Sequence, residues 1–250
     1  EHAALAASML ERAGLDESAL ECGAHWPMRQ EAALELAGAG GKPGALYNNC
    51  SGKHSGFVCT CRHLGLDYRG YVGAGHRAQE MVREAMESVT GAAHAVDTCG
   101  TDGCSIPTYA APLKSFALGF ARMATGTGLG TERAKAAKRI FAACMAEPFF
   151  VAGTARQDTR LMEAGNGRLM VKIGAEGVYC AAIPELGIGI ALKCDDGAGR
   201  AAEVMIATVL AGLFKDDAEL APRLAAMARP ELKNWNEIPV GALRPTTELG

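Results

Sequence analysis

Three short apolar segments follow one another in Arg168-Leu-Met-Val-Lys-Ile-Gly-Ala-Glu-Gly-Val-Tyr-Cys-Ala-Ala-Ile-Pro-Glu-Leu-Gly-Ile-Gly-Ile-Ala-Leu-Lys193. The first segment, 168–173, alternates apolar and polar side chains over part of its length, as a half-buried strand does. Glu176-Gly177 and Pro184-Glu-Leu-Gly187 separate the segments and are short enough to be turns. Because strands joined by short turns run in opposite directions, this stretch predicts an antiparallel meander of three strands.

The sequence before the meander has mostly helical patterns. Apolar spacing and helix start and stop signals predict helices at 1–12, 30–39, 53–64, 76–89, 108–123 and 131–146. After the meander we expect helices at 198–214 and 220–228 and an edge strand at 238–243. The sequence therefore predicts an α+β fold, with a mostly helical part at 1–165 and antiparallel strands with a covering helix at 166–250. We expect the two parts to form one intertwined domain.

Composition excludes several classes of function. A net charge of -3, without a run of Lys and Arg, gives no basic surface for nucleic acid. No apolar run approaches the roughly 18 residues needed to span a bilayer, so no membrane partner is expected. The 9 cysteines are scattered and no secretion signal precedes them, which favours reduced thiols and a cytoplasmic location.

The most unusual polar stretch is Asn48-Asn-Cys-Ser-Gly-Lys-His-Ser-Gly56. Cys50 and Lys53 are three residues apart at a predicted helix start, so both side chains can point the same way. A second polar stretch, 99–107, contributes Cys104. Two thiolates suit Zn²⁺, and a lysine amine can join them only when it is neutral. From spacing alone, packed thiols and a helix-start cation are the simpler interpretation.

Other side chains in this stretch offer alternatives. Ser51 or Ser55 could be a nucleophile activated by a neighbouring base, although helix capping is favoured for Ser51. Cys50 could act as a thiol nucleophile with His54 as its base, because a helix start lowers a thiol pKa. Lys172, two residues before a glycine, could hold a carboxylate or tune a serine, but Lys-x-Gly is a weak signal.

Together, the stretches 48–56 and Cys99-Gly-Thr-Asp-Gly-Cys-Ser-Ile-Pro-Thr-Tyr109 resemble the asparaginase II family of the rhizobial type. Ala191-Leu-Lys-Cys-Asp-Asp-Gly197 supports the resemblance, which covers nearly the whole chain. It implies hydrolysis of L-asparagine to L-aspartate and ammonia. It also implies a fold similar to serine β-lactamases and glutaminases, in which helices cover an antiparallel sheet and form a helical subdomain.

The resemblance also implies roles for individual residues. Cys50, Lys53 and Cys104 match the family's zinc ligands, so Zn²⁺ becomes the expected cofactor. Asp102 matches a carboxylate beside those ligands, and we place His54 there as well. Lys172 resembles the sheet lysine that pairs with a catalytic serine. L-asparagine is the implied small-molecule partner, with glutamine as the competing substrate.

One departure from the family pattern concerns the nucleophile. The family's serine lies in a Ser-x-x-Lys motif, and no serine of this chain has a lysine three residues on. We therefore expect an N-terminally shortened form with little or no activity, whose missing part would supply this motif and further strands. The unpaired sheet edge would favour a homodimer. The alternative is an inactive zinc-binding or amino-acid-binding fragment or paralogue.

Overall fold

A computed structural model describes residues 1–246 of the chain. About 51% of the structure is helix and 13% is strand, and the sheets are small and antiparallel, in agreement with the predicted α+β class. The elements run in the order α1 (His2–Arg12), α2 (Gln30–Gly38), α3 (Ser51–Leu64), α4 (Arg77–Thr90), β1 (Cys99–Thr101), β2 (Pro107–Tyr109), α5 (Leu113–Thr125), α6 (Thr131–Ala146), α7 (Pro148–Ala152), α8 (Gln157–Gly165), β3 (Met170–Ile173), β4 (Val178–Ile183), β5 (Ile188–Lys193), α9 (Gly199–Leu213), α10 (Leu220–Met227), β6 (Glu231–Lys233) and β7 (Pro239–Ala242).

The predicted meander is present as the antiparallel sheet β3-β4-β5. Lys172 pairs with Cys180 in one ladder, and Val178 pairs with Lys193 in the other. Gly177 and Gly187 adopt positive φ angles of 68° and 64° in the two turns. Such angles strain a side chain but not glycine, which is why short turns fit between these strands.

The sequence around residue 108 does not start a helix, as we had predicted. Residues 99–101 and 107–109 instead form the β1–β2 hairpin, and α5 begins at Leu113 after Pro112 in an extended conformation. The physical reason is local. Thr108 and Tyr109 favour strands, and Pro112 disfavours a helical conformation of Ala111, the residue before it. The edge strand predicted at 238–243 is confirmed as β7, which pairs with β6.

Contacts divide the chain into two compact units. The first contains residues 1–87 and 93–110, and the second contains residues 88–92 and the chain from 111 onward. The predicted division at residue 165 was drawn from the change from helical to strand patterns, and it stays a prediction. The core of the first unit includes Leu10, Val58 and Tyr71. The core of the second includes the β3-β4-β5 sheet.

Burial of apolar side chains holds each unit together. The second unit buries fully such residues as Val171, Ile206 and Leu210. Burying a side chain of this size contributes about 1.5–3 kcal/mol. Within residues 1–246, no helix is both long enough and apolar enough to cross a membrane.

Candidate metal centre and sheet lysine

The start of α3 is fixed by the buried side chain of Asn48. Its Oδ1 accepts the Cys50 backbone N–H at 2.8 Å, and its Nδ2 donates to the Cys22 carbonyl at 2.8 Å. Asn48 thus satisfies one free N–H at the helix start and ties it to a neighbouring loop. Cys50, which directly precedes the first helical residue, and Lys53 in the first turn are thereby held in place.

The β1–β2 hairpin presents Cys104 and Asp102 from its tight turn. The Asp102 N–H donates to the Ile106 carbonyl, and the Ser105 N–H donates to the Asp102 carbonyl, both at 2.8 Å. Ser105 adopts a φ of 77°, an angle that costs a non-glycine residue free energy. The Gly103 N–H donates to Asp102 Oδ1 at 2.7 Å and fixes that carboxylate.

Lys53, Cys104 and Asp102 meet in the first unit. Lys53 Nζ donates to Cys104 Sγ at 3.3 Å and lies 3.7 Å from Asp102 Oδ2. Cys104 Sγ in turn donates to Asp102 Oδ2 at 3.2 Å. The structure therefore brings together three of the residues predicted from the sequence, although 51 positions separate Lys53 from Cys104.

The charges around Lys53 favour a cation at this point. Burial acts against the charge on Lys53, but Cys50, Cys104 and Asp102 outweigh it and raise the pKa of Lys53. Burial also acts against the charge on Asp102, yet the bonds from Cys104 and Gly103 and the Lys53 ammonium lower the pKa of Asp102. The Lys53 ammonium is thus stabilised by its ion pair with Asp102 and by its contact with Cys104.

The cysteine thiols are harder to ionise in the absence of metal. Burial, together with the Asp102 carboxylate, raises the pKa of the Cys104 thiol. Burial and the nearby Cys50 and Cys104 raise the pKa of Cys22 to about 11. Cys22 lies close enough to both thiols to interact with them electrostatically, which the sequence patterns did not indicate.

His54 points into the core of the first unit and is fully buried. Tyr71 Oη accepts the Glu21 N–H at 2.9 Å and lies 2.6 Å from His54 Nδ1. Burial and the Lys53 ammonium lower the pKa of His54 to about 4, so the imidazole is neutral near pH 7. This arrangement orients a neutral ring beside the Lys53 group and does not favour His54 as the base for a Cys50 nucleophile.

Lys172 lies in the second unit, at the end of β3. Its Nζ donates to the Ile173 carbonyl at 2.6 Å and lies 4.0 Å from Asp158 Oδ2. Asp158 is buried in the first turn of α8, and its Oδ2 accepts the Ile173 N–H at 3.0 Å. Nothing in the sequence pattern had indicated Asp158, because α8 is not part of a motif and was not predicted.

A family model described as L-asparaginase II matches residues 1–245. The chain belongs to the L-asparaginase II family. A search of curated proteins finds no relative of this chain. Because the match covers almost the whole sequence, both units of the structure are part of the region that defines the L-asparaginase II family.

The groups that could hold a metal in this family member are two thiols, an amine and a carboxylate. Among the side chains of residues 1–246, no group of three or more His, Cys, Asp and Glu residues is arranged to hold a metal ion. The predicted ligand set of Cys50, Lys53 and Cys104, in which one ligand is a lysine, stays a prediction. Binding would displace the proton of the Lys53 ammonium, since only the neutral amine donates an electron pair.

Proposed function

We propose that this chain contributes the metal site and the sheet lysine of an L-asparagine amidohydrolase, which converts L-asparagine to L-aspartate and ammonia by serine acyl transfer, and that the Ser-x-x-Lys nucleophile is absent from these 250 residues. The observation that carries the proposal is the L-asparaginase II match over residues 1–245, which implies a hydrolase. The proposal includes Zn²⁺ held by Cys50, Lys53 and Cys104, with Asp102 and His54 beside these ligands. It also includes a fold related to serine β-lactamases, in keeping with helices packed on an antiparallel sheet.

The donor set of the first unit fits a zinc ion. Cysteine sulfur is a preferred zinc ligand, and Cys104 Sγ lies 3.3 Å from the Lys53 nitrogen. Lys53 Nζ lies 3.3 Å from Cys104 Sγ and 3.7 Å from Asp102 Oδ2, and Cys50 acts on its charge electrostatically, so the ammonium stands where a cation is stabilised. When bound, zinc would supply a positive charge and a Lewis acid at this position.

In the proposed reaction, a serine hydroxyl adds to the side-chain amide carbon of asparagine, and the C–N bond breaks. The serine proton passes to the side-chain nitrogen of asparagine, which leaves as ammonia, and an aspartyl ester remains on the enzyme. Water then hydrolyses the ester and restores the hydroxyl. Lys172 is the proposed partner of this serine, because an amine can accept and return the hydroxyl proton.

A second candidate function is non-hydrolytic: a zinc-binding or amino-acid-binding protein of the same family. The observation in its favour is that no serine in the 250 residues has a lysine three positions on. Without an activated serine, the chain could bind zinc or an amino acid but could not form the acyl-enzyme.

The two candidates differ in whether hydrolysis appears when a Ser-x-x-Lys segment is supplied to residues 1–250. We expect this polypeptide alone to release little ammonia from L-asparagine or L-glutamine. Co-expression with the Ser-x-x-Lys segment of an active L-asparaginase II should restore hydrolysis, and Lys172→Met should abolish it again. Ammonia release by residues 1–250 alone at a rate equal to the supplemented protein would contradict the serine mechanism. No hydrolysis in any combination would favour the binding protein.

Metal analysis of the purified chain tests the zinc proposal separately. We expect about one zinc per chain, lost in Cys104→Ser and Lys53→Met but retained in the matched control Cys144→Ser, a thiol of α6 in the second unit. Zinc that remains at full occupancy in Cys104→Ser would exclude this ligand set.

A further inference from the structure

The second unit contains a buried polar cluster centred on Asp158. Only 1% of the Asp158 side chain is exposed. The Tyr179 O–H donates to Asp158 Oδ1, and the Ile173 N–H donates to Oδ2 at 3.0 Å. A carboxylate that is buried in this way is costly unless its oxygens are bonded, and here each oxygen accepts a hydrogen bond.

The cluster reaches Lys172 through one residue, Ile173, whose N–H and carbonyl belong to adjacent peptide units. Asp158 fixes the N–H side of Ile173, and Lys172 Nζ donates to the carbonyl of the same residue at 2.6 Å. The second connection is direct, because Lys172 Nζ lies 4.0 Å from Asp158 Oδ2. Asp158 therefore controls both the acceptor that Lys172 uses and a charge that faces its ammonium.

Other ionisable groups lie near the contact between Asp158 and Lys172. Cys180 pairs with Lys172 across the ladder, and burial raises the pKa of this thiol to about 11 despite the opposing Lys172 charge. Glu203 of α9 and Arg156 also lie close enough to Asp158 to interact with it electrostatically. Burial raises the pKa of Glu203, and the Asp158 carboxylate raises it further, whereas the Arg156 guanidinium lowers it. Cys180 is thus neutral near pH 7 and provides no counter-charge to Lys172.

We propose that Asp158 is a positioning residue for Lys172, holding the ammonium at the end of β3 through the backbone of Ile173 and through their opposite charges. Tyr179 supports this role by orienting the carboxylate. The effect of Asp158 on catalysis rests on the proposed function of Lys172. The contact between Asp158 and Lys172 does not, so the contact and the function can be tested separately.

Acylation of lysine amines by a limiting amount of acetyl N-hydroxysuccinimide, followed by peptide mass spectrometry, tests the contact. An amine held by both a carbonyl and a carboxylate is less free to attack the reagent than an amine held by a carbonyl alone. Lys193 is an internal reference, because its Nζ also donates to the carbonyl of the next residue, at 2.5 Å. Within residues 1–246, however, no ion pair joins Lys193 to a carboxylate. We expect Lys172 to react more slowly than Lys193 in the unmodified chain.

Asp158→Asn should increase the rate of Lys172 relative to Lys193 by about threefold, a moderate effect because Lys172 is half exposed. Asp158→Glu keeps the charge and should restore part of the protection. If circular dichroism shows that Asp158→Asn does not fold, Tyr179→Phe replaces it: the carboxylate stays but loses its donor, and a smaller rise is expected.

Equal rates of Lys172 and Lys193 in the unmodified chain would overturn the proposal. So would a folded Asp158→Asn or Tyr179→Phe variant with an unchanged ratio. Loss of asparagine hydrolysis is not required for either result. A chain that never releases ammonia but shows the expected labelling would refute the proposed function and leave the role of Asp158 standing.

Discussion

At the scale of single residues, buried polar groups define the candidate sites in each unit. His54 and Asp158 are almost fully buried, and each depends on a tyrosine hydroxyl: His54 on Tyr71, and Asp158 on Tyr179. Because a buried polar group without a partner costs about 1–3 kcal/mol, each tyrosine contributes more than its apolar ring. The side chains proposed to carry chemistry are thus oriented by residues that do not react.

Tyr71→Phe tests this dependence in the first unit. The change leaves the Glu21 N–H and His54 Nδ1 without the phenol oxygen. We expect the free energy of unfolding to fall by about 1–3 kcal/mol, measured by urea denaturation. Tyr68→Phe is the matched control, since it removes a hydroxyl from a tyrosine only partly buried against the same core. Equal stabilities of the two variants would show that the Tyr71 hydrogen bonds contribute nothing.

At the scale of elements, the close packing of α5 on β5 determines how the sheet of the second unit is covered. Gly189 lies in β5, and a Cβ atom at this position would stand 1.9 Å from the Ala117 carbonyl oxygen. Glycine is required here by proximity and not by its backbone angles, because the helix backbone approaches the strand directly. The sheet face that carries Lys172 and Lys193 is therefore covered by α5 at its Gly189 end.

Gly189→Ala should destabilise the second unit by about 1–3 kcal/mol or more, because the clash is with backbone that cannot rotate away. Thermal unfolding followed by circular dichroism measures the effect. Gly212→Ala is the control: its added Cβ meets nothing within 4 Å in α9, and alanine should stabilise that helix by up to about 1 kcal/mol. A Gly189→Ala protein as stable as the unmodified chain would contradict the close approach of α5.

At the scale of the whole molecule, the chain is divided into two compact units, and each contains its own candidate functional residues. The proposed zinc ligands all lie within residues 1–110, whereas Lys172 and Asp158 lie beyond residue 111. Metal binding contributes free energy to the structure that presents its ligands. Removal of zinc should therefore affect the first unit through α3 and the β1–β2 hairpin.

Hydrogen exchange with and without a chelator measures this effect. In the zinc-loaded chain, we expect protection of the first turn of α3 and of β1–β2 to fall after chelation, while β3, β4 and β5 of the second unit stay unchanged as an internal reference. Cys104→Ser should reproduce the chelated pattern without chelator. A loss of protection in the second unit alone, or none in the first, would contradict the proposed metal centre.

Much of the fold could be predicted from local patterns. Alternation and short turns predicted the β3-β4-β5 meander, and apolar spacing with Gly65 predicted α3, which ends at Leu64. The β1–β2 hairpin was missed, since a helix was expected from residue 108. Its strands have three residues each, too few for a periodic pattern to appear. The short helix α7 was missed for the same reason. Helix α8 was also missed, because polar residues (Gln157, Asp158 and Thr159) occupy buried positions in its first turn and obscure the apolar spacing.

The sequence by itself determined the family, the α+β class and the types of residue available for chemistry, because these follow from motifs and from spacing along the chain. Only the tertiary structure decided which of them meet: Cys104 and Asp102 with Lys53, His54 with Tyr71, and Lys172 with Asp158. The physical reason is that hydrogen bonds and charge contacts depend on distances in space. Tyr71 and Asp158 carry no signal along the sequence, yet each fixes a neighbour that does.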